Sequence, residues 1–325
     1  MSAPGVSTSN WKVYEEQFWG GMTETQQQMV DAFNAASAGC IQLVSQRQKG
    51  NYVQEAFLKK VSGLVTRRDI TSVSSASDIE LTADEFVSVK INRKIGPVSD
   101  TLDRWRKIGQ DPATMSFLLG QQIAPDIQAD YLNSALRAVK GAITAVTANN
   151  YNGTAGTLTF TSLVNGLAKF GDAAQKIVCW VMHSKPFFDL FKDGIANYKV
   201  ENVAGFMLVT GSPVTLGRPV VVTDSAALVT SGSPDNYHTL GLVQGAVTVS
   251  ESEERDIQSD LITGLENLAM RIQGEYAFTV GVKGSQWDIT NGGKNPTDAN
   301  LLLSTNWDQV ATDAKSCAGI RVYTQ

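Results

Sequence analysis

The alternation of apolar and polar residues from 86 to 95 is typical of a β-strand with one buried face. Val87, Val89 and Ile91 share one face, and polar side chains occupy the other. An earlier run, residues 64–73, also alternates with a period of two, although neither of its faces is cleanly apolar. The two runs together predict a long two-stranded hairpin. Because such a ribbon is marginally stable alone, we expect it to lie on another surface.

A helical pattern follows the predicted hairpin. Asp111 can cap a helix and Pro112 suits its first position, after which apolar residues recur at helical spacing as far as Val146. A helix of about 36 residues ending at Ala148 would span roughly 54 Å. Pro125 falls inside this pattern, so we expect it to kink the helix or divide it.

The first ~50 residues are polar and rich in glutamine, but they carry apolar residues at helical spacing. A second amphipathic piece, residues 52–61, places Val53, Phe57 and Val61 four residues apart and predicts another helix. Two arrangements fit these segments. They either dock on their own core or form an extended arm that is buried against a neighbouring subunit.

Helical and strand patterns alternate in the second half of the chain. We expect a helix capped by Ser162 and extending to Ala174, and another after Pro186. The predicted strands are residues 177–182, 206–209, 219–223, 240–250 and 265–282, with an acidic link at residues 251–260. This mixture indicates a compact α/β or α+β unit.

Composition limits the class of protein. The chain has 325 residues, 42% hydrophobic and 18% charged, which is enough for roughly two packed units. No apolar run reaches the ~18 residues of a membrane span and the start lacks a secretory pattern, so we expect a cytosolic product. Cys40, Cys179 and Cys317 are widely spaced and odd in number, which predicts buried thiols. The net charge of -5 and the lack of a basic block argue against tight DNA binding.

The sequence offers little for catalysis. Only His183 and His238 are present, and neither phosphate-loop nor dinucleotide-loop motifs occur. A triad of Ser184, His183 and Asp224 is disfavoured, because adjacent strand residues point to opposite faces and no nucleophile-elbow motif surrounds the serine. We therefore predict no catalytic, cofactor-binding or metal-binding residues.

Three short phrases carry a family resemblance. The first is the run at residues 176–191, where an apolar strand leads into a short helix. The second is Thr-Leu-Gly-Arg-Pro-Val-Val-Val-Thr-Asp at 215–224, and the third combines residues 295–303 with Asn306 and Trp307. With the order of the predicted elements, they resemble the major capsid proteins of tailed double-stranded-DNA bacteriophages, which have the Hong Kong 97 fold.

The resemblance implies an α+β, Hong Kong 97-like capsid fold with four parts. These are an N-terminal arm (1–63), an extended β-hairpin loop (64–97), a peripheral domain with a long spine helix (98–160 and 237–325) and an axial domain (161–236). It also implies the function of a structural subunit without enzymatic activity. Such subunits form hexamers and pentamers of an icosahedral shell that encloses DNA without reading its sequence.

The same resemblance implies a virion protein that is assembled in the host cytoplasm, with no membrane and no cofactor. Its partners would be a separate scaffolding protein and a portal, with a decoration protein left open. Two alternatives remain. One is an encapsulin-like compartment, and the other, from a different class, is an α/β hydrolase or transferase supported by the alternation between residues 162 and 223.

Eleven residues are candidates for contacts between subunits. Arg218 either bridges a neighbour's carboxylate or belongs to a segment that is structural, in which Gly217 turns the chain and Pro219 starts an edge strand. We expect some of the basic hairpin residues to meet acidic residues across subunits. The candidates are Trp11, Phe18 and Trp19 in the arm, Arg67, Arg68, Arg93 and Lys94 in the hairpin, Arg218, and Glu251, Glu253 and Glu254 in the acidic link.

Overall fold

The computed structural model describes residues 22–23, 37–59, 61, 63–73, 75, 78–101, 103, 107, 112–153, 156–197, 215–253, 255–264 and 266–325. The strands are β1 (Ile41–Ser45), β2 (Tyr52–Leu58), β3 (Ala83–Thr101), β4 (Asn150–Asn152), β5 (Ile177–Met182), β6 (Val220–Val222), β7 (Val229–Thr230), β8 (Asn236–Val243), β9 (Val247–Glu251), β10 (Asp256–Ile262), β11 (Ala269–Val282), β12 (Ser285–Trp287), β13 (Trp307–Gln309) and β14 (Gly319–Thr324). The α-helices with described bounds are α1 (Pro112–Ala145), α2 (Phe160–Ala168), α3 (Ser184–Asn197), α4 (Ile289–Gly292) and α5 (Asp298–Leu302).

The described strands form two sheets. In the first, β1, β9, β11, β12 and β13 follow one another, β3 and β10 also pair with β11, and β2 pairs with β3. In the second, the order is β4, β14, β8, β5, β6, with β7 on β8. Helix α1, the spine helix, contacts strands of both sheets, among them β9, β11 and β14. It therefore holds the two sheets in one core.

The spine helix is continuous through Pro125. Of the two outcomes expected at this residue, a kink or a division, the division is therefore wrong. Its end at Ala145 lies close to the predicted Ala148. Small residues line its buried face, and Gly141 allows the closest approach, because a Cβ there would lie 2.4 Å from the carbonyl oxygen of Leu301. No described helix is both long and apolar enough to cross a membrane.

Strand β3 is the long shared strand of the first sheet. It pairs with β2 from Ala83 to Val89 and with β11 from Val89 to Thr101. The register shifts between Ile272 and Gly274, where two residues, Gly96 and Pro97, face one. Such a bulge suits a proline, which has no N–H for the ladder.

The hairpin exists, but the prediction of its first strand was wrong. Residues 64–73 form an exposed loop, and the partner of β3 is β2, in the segment that we predicted to be helical. A spacing of four residues is two strand repeats as well as one helical turn, so Val53 and Phe57 also share a face in a strand. Residues 64–73 have no apolar face to pair and bury.

Other expectations need smaller corrections. Thr159, not Ser162, caps α2, since its hydroxyl accepts from the Ser162 N–H at 3.2 Å, and the helix ends at Ala168. The predicted strand at 240–250 is two strands, β8 and β9, and much of the acidic link is strand β10. Strands β5, β6 and β11 and helix α3 are confirmed within a few residues. The strand predicted at 206–209 lies outside the described residues.

Candidate functional site

The hairpin of β2 and β3 is closed firmly near its tip. Its register runs from Tyr52 opposite Val89 to Leu58 opposite Ala83. Beyond it, the Lys59 N–H donates to the Thr82 oxygen at 2.9 Å, and Lys59 Nζ lies 2.7 Å from Asp84 Oδ2. This hydrogen bond from Lys59, followed by one from a backbone N–H, lowers the pKa of Asp84. The pairs fix where the strands stop and the connecting loop begins.

That loop exposes large aliphatic side chains. Val65 is 95% exposed, Ile70 84% and Val73 103%. Leu58, Leu64, Ile79 and Leu81 are also at least half exposed. The loop has local order, because Asp69 Oδ1 accepts from the Thr71 N–H at 2.9 Å and from its hydroxyl at 2.7 Å. Single exposed apolar residues are ordinary, whereas a cluster of this kind marks a contact surface.

Arg67 and Arg68 lie in the middle of this loop. Both are exposed, and neither forms an ion pair with any other described residue. Of the four basic hairpin residues predicted for an interface, these two are free to meet another molecule. The loop therefore combines apolar side chains with two uncommitted positive charges.

Arg93 has a different place, in a polar network at the root of the hairpin. Its Nε donates to Asp130 Oδ2 of the spine helix at 3.1 Å, and its Nη2 bonds to Ser134 Oγ and Asp298 Oδ1. Tyr276, opposite Arg93 in the sheet, donates to the same Asp130 oxygen at 2.8 Å. Four elements, β3, α1, β11 and α5, are joined here within one subunit.

A second arginine completes this root network. Arg137 Nη1 lies 2.9 Å from Asp298 Oδ2, so two arginines and two carboxylates balance in charge. Asn295, just before α5, accepts from the Asn92 N–H of β3 at 2.9 Å. Burial, together with Asp130, raises the pKa of Tyr276, which keeps its hydroxyl protonated as a donor. Arg93 thus has an intrachain role, and its expected contact with a neighbouring subunit stays a prediction.

The acidic candidates are also largely engaged within the chain. Glu251 Oε1 lies 2.6 Å from Arg255 Nε, and Glu253 pairs with the buried Lys90. Lys94 is exposed on β3, directly opposite Glu275 of β11. Glu254 lies outside the described residues. Glu251 and Glu253 thus have partners within the chain, and whether they also meet the hairpin of a neighbour stays a prediction.

The Arg218 side chain forms its hydrogen bonds within its own chain. Its Nε donates to the Ile177 oxygen at 2.7 Å and its Nη2 to the Ala174 oxygen at 3.0 Å. These carbonyls lie where the short helix Gly171–Lys176 passes into β5. Arg218 therefore supports its own subunit, and burial lowers its pKa.

The arm residues Trp11, Phe18 and Trp19 lie outside the described residues. Met22, the neighbouring apolar residue that is described, is fully buried in the core of its own chain. Of the two arrangements expected for the N-terminal segments, this one residue shows docking on its own core. Whether Trp11, Phe18 and Trp19 contact a neighbour stays a prediction.

The structure brings Ser184, His183 and Asp224 together, contrary to the argument from strand alternation. Ser184 begins α3, so its side chain leaves the strand direction and lies 3.4 Å from His183 Nδ1, while His183 Nε2 lies 3.5 Å from Asp224. However, Nδ1 accepts from the Lys185 N–H at 3.2 Å. Hydrogen bonds from Ser184 lower the pKa of Asp224. The His183 and Asp224 side chains thus accept from the first two backbone N–H groups of α3 and cap its start.

The three cysteines are buried and free, as predicted. Cys40 and Cys179 nevertheless meet, since a hydrogen bond between the two thiols, followed by burial, raises the pKa of Cys40. Among the described side chains, no three His, Cys, Asp or Glu residues are grouped as a metal ion requires. Trp287 and Trp307 pack edge to face at 5.0 Å within the core.

Sequence reasoning missed a buried basic cluster between the spine helix and the second sheet. We call Lys140, Arg321 and His238 the basic cluster. Lys140 is 8% exposed and donates to the Ala227 oxygen at 2.8 Å. Burial, then the charge of Arg321, lowers the pKa of Lys140 to about 8. The sequence does carry a signal for the burial of Lys140, because this residue falls four positions after Leu136 on the apolar stripe of the helix.

The described part of the chain is a mixed α+β structure with two sheets on one long helix and a hairpin that carries an exposed apolar loop. The family model for Gp13-like proteins (major capsid protein 13-like) matches residues 10–321, so the chain belongs to this major capsid protein family. No curated protein matches the chain. The family match favours a phage capsid over the encapsulin-like alternative.

Solved structures support the same fold. The chain is similar to one in the capsid asymmetric unit of cyanophage Pam1, with 12% identity, 87% of each chain covered and a TM-score of 0.53. It is also similar to a structure from Mycobacterium phage Adephagia, with 9% identity, 87% of each chain covered and a TM-score of 0.51. At such identities the likeness concerns the fold alone.

The first prediction tests the root network. Arg93→Met should lower the free energy of unfolding by about 2 kcal/mol, because it leaves Asp130 and Asp298 with one arginine between them; partial exposure keeps this below the cost of breaking a fully buried pair. Denaturant unfolding of the full chain measures it. Lys315→Ala, which breaks the exposed pair with Asp172, is the control and should change the free energy of unfolding much less, because solvent screens an exposed pair. Equal losses in the two variants would contradict the assignment.

The second prediction concerns alkaline stability. The folded pKa of Lys140 lies near 8, below the ordinary 10.5 of the unfolded chain. Between these values the unfolded chain binds a proton that the folded chain has released, so stability rises with pH, by roughly 3 kcal/mol in total from this group. Unfolding curves from pH 7.5 to 10.5 should show this rise for the natural chain relative to Lys140→Met. Parallel pH profiles for the two proteins would rule it out.

Proposed function

We propose that this capsid subunit forms an icosahedral shell of hexamers and pentamers around double-stranded DNA, without enzymatic activity. In this proposal the hairpin loop reaches a neighbouring subunit and buries its apolar side chains there. Assembly takes place in the host cytoplasm, assisted by a separate scaffolding protein and a portal. The family membership supports the shell, and the exposed loop carries the proposed mode of contact.

The energetic argument starts from the loop's exposed aliphatic residues. Burying one such side chain contributes about 1.5–3 kcal/mol. Val65, Ile70 and Val73 are almost wholly in solvent in the single subunit, so nearly all of that contribution is still available for association. A second copy of the same chain is the natural partner for a protein that tiles a shell, because every subunit then both offers and receives a loop.

The root network lowers the entropy cost of the proposed contact between the loop and a neighbouring subunit. The strands of the hairpin are held by Arg93, Asp130 and Asp298, and the tip end by Lys59 and Asp84. A loop presented on a fixed ribbon loses less conformational freedom on binding than a free segment does. Many modest contacts of this kind, repeated around a lattice, sum to a stable shell.

The division into arm, hairpin, peripheral and axial parts remains part of the proposal. The spine helix and strands β9 to β13 fall within the proposed peripheral domain, and strands β5 and β6 with α2 and α3 fall within the proposed axial domain. Strands β1 and β2 fall within the proposed arm, and most of β3 falls within the proposed hairpin loop. Strands β8 and β14 join β5 in the second sheet, so the two proposed domains share a sheet. The net charge of -5 is consistent with enclosing DNA without binding it tightly.

The third prediction tests the loop. Replacing Val65, Ile70 and Val73 together with serine should leave the subunit's unfolding free energy within about 0.5 kcal/mol per site, because these side chains touch little in the subunit. Shell formation, followed by electron microscopy and sedimentation after co-expression with the neighbouring phage genes, should fail.

Thr66→Ser in the same loop is the matched control, since it leaves the apolar surface intact. It should form shells at the normal yield. Normal shells from the triple serine variant would show that the loop does not hold the lattice together.

The fourth prediction concerns the two free arginines of the loop. Changing Arg67 and Arg68 to glutamate should slow assembly, because charges that lie at an interface steer association more than they fix its strength. The rate for the natural chain should fall as salt is raised, since screening acts over about 8 Å at physiological ionic strength. Light scattering measures both effects. The double change to lysine keeps the charge and should assemble at nearly the natural rate; an unaltered rate for the glutamate variant would make these arginines a solvated face.

A further inference from the structure

The basic cluster lies where the spine helix faces the second sheet. Arg321 Nη1 donates to Thr144 Oγ1 at 3.0 Å, and that hydroxyl donates to the Lys140 oxygen at 2.6 Å. Residues 140 and 144 are one helical turn apart, so Lys140 and Arg321 share one side of the helix. Two cations therefore lie on the same side of the helix, Lys140 buried and Arg321 half-buried.

His238 extends the cluster along the sheet. It lies opposite Tyr323 in the pairing of β8 with β14, and their rings stack at 4.9 Å. The Arg321 guanidinium lies 5.6 Å from the centre of the same Tyr323 ring. His238 Nε2 is 2.8 Å from Thr230 Oγ1. Burial, then the charges of Lys140 and Arg321, lowers the pKa of His238 to about 2, so the ring is neutral.

The cluster has positive charge without a counter-charge. Within the described residues, no carboxylate pairs with Lys140 or Arg321, and the groups acting on them are each other, His238 and Tyr323. Two donor atoms have no partner, Arg321 Nε and His238 Nδ1, and His238 is 3% exposed. Proteins pair the charges they bury, because an unpaired buried ion is costly.

Solvent reaches the rim of this cluster. Arg321, Thr144 and Tyr323 are half-buried and Thr230 is exposed, while Lys140 and His238 lie deeper. In the tautomer in which Thr230 donates to Nε2, His238 carries its proton on Nδ1 and can donate to a ligand. Arginine, lysine and imidazole donors converging from one helix and two strands suit an acceptor with several oxygens.

We propose that the basic cluster of Lys140, Arg321 and His238 binds a small tetrahedral oxyanion of the phosphate class between the spine helix and the second sheet. The anion supplies the missing counter-charge and connects α1 to β14 and β8. It binds the folded chain alone, because the three residues are far apart in sequence. Binding therefore stabilises the fold by mass action.

Inorganic phosphate is the probe, added to the full-length chain at constant ionic strength with sodium chloride as the balancing salt. The unfolding equilibrium constant should fall in proportion to 1 + [phosphate]/Kd, so that phosphate at 100 Kd reduces it about 100-fold. Chloride alone should not reproduce the effect. No stabilisation by phosphate up to 50 mM would overturn the proposal.

Variants locate the effect. Arg321→Gln, at the rim, and Lys140→Met, inside, should each abolish the stabilisation by phosphate. Lys90→Met is the matched control, because Lys90 is equally buried but already pairs with Glu253. It should keep the full phosphate response. Stabilisation that survives in both cluster variants would place the anion elsewhere and overturn the assignment.

A measurement on the unaltered chain keeps the proposal testable even if a variant fails to fold. A bound anion favours the charged form of Lys140, so saturating phosphate should reduce the rise in stability between pH 8 and 10.5. The pH profile of unfolding is recorded with and without phosphate. Identical profiles in the two buffers would mean that the anion does not contact Lys140, and the site would be rejected.

Discussion

The shared Asp130 carboxylate is the contact on which the rest of the structure depends. Its Oδ2 receives both Arg93 from β3 and Tyr276 from β11, which are opposite one another in the first sheet. A single side chain of the spine helix thus contacts both of the longest described strands at the position where they pair. Asp298 extends the same charge balance to α5, and the exposed loop is presented from this fixed base. The hairpin can project only because its root is held inside the subunit.

Residues in the sequence phrases behind the family resemblance form contacts that join elements of the same subunit. Asn295 and Asp298 contact β3, and Trp307, whose Nε1 donates to the Leu301 oxygen at 3.0 Å, packs beside Gly141 of the spine helix. The run ending at Asp224 holds the start of α3. These contacts all lie within one subunit, so they set its shape. This explains why short phrases indicated the fold without indicating the interface.

The periodicity of apolar residues correctly predicted the elements that bury one face and expose the other. Residues 86–95 and the helix beginning at Pro112 each have one clean apolar face, and both were confirmed. The prediction of a helix at residues 52–61 was wrong, because a spacing of four residues fits both the helical and the strand period. Only the pairing with β3 decides between the two. The charge pairs were beyond prediction for another reason. Arg93, Asp130 and Asp298 are separated by 37 and 168 positions, and their meeting depends on the packing of four elements. A basic residue on a strand looks the same whether it serves a neighbour or its own helix.

The contrast between Lys90 and Lys140 shows how the same residue type serves two purposes in one subunit. Lys90 is buried on β3 but reaches Glu253, whose carboxylate is more than half exposed, so the pair neutralises a charge near the surface. Lys140 reaches a carbonyl oxygen and faces another cation. A dipole offsets less of the desolvation cost than a full opposite charge does, since the lysine remains a net charge in the interior. The joint between the spine helix and the second sheet is therefore less stable than its packing alone implies, and its stability responds to pH and to anions. The hairpin root, by contrast, is balanced in charge, so two successive stretches of the spine helix differ: Asp130 and Arg137 have opposite charges beside them, whereas Lys140 has none among the described residues.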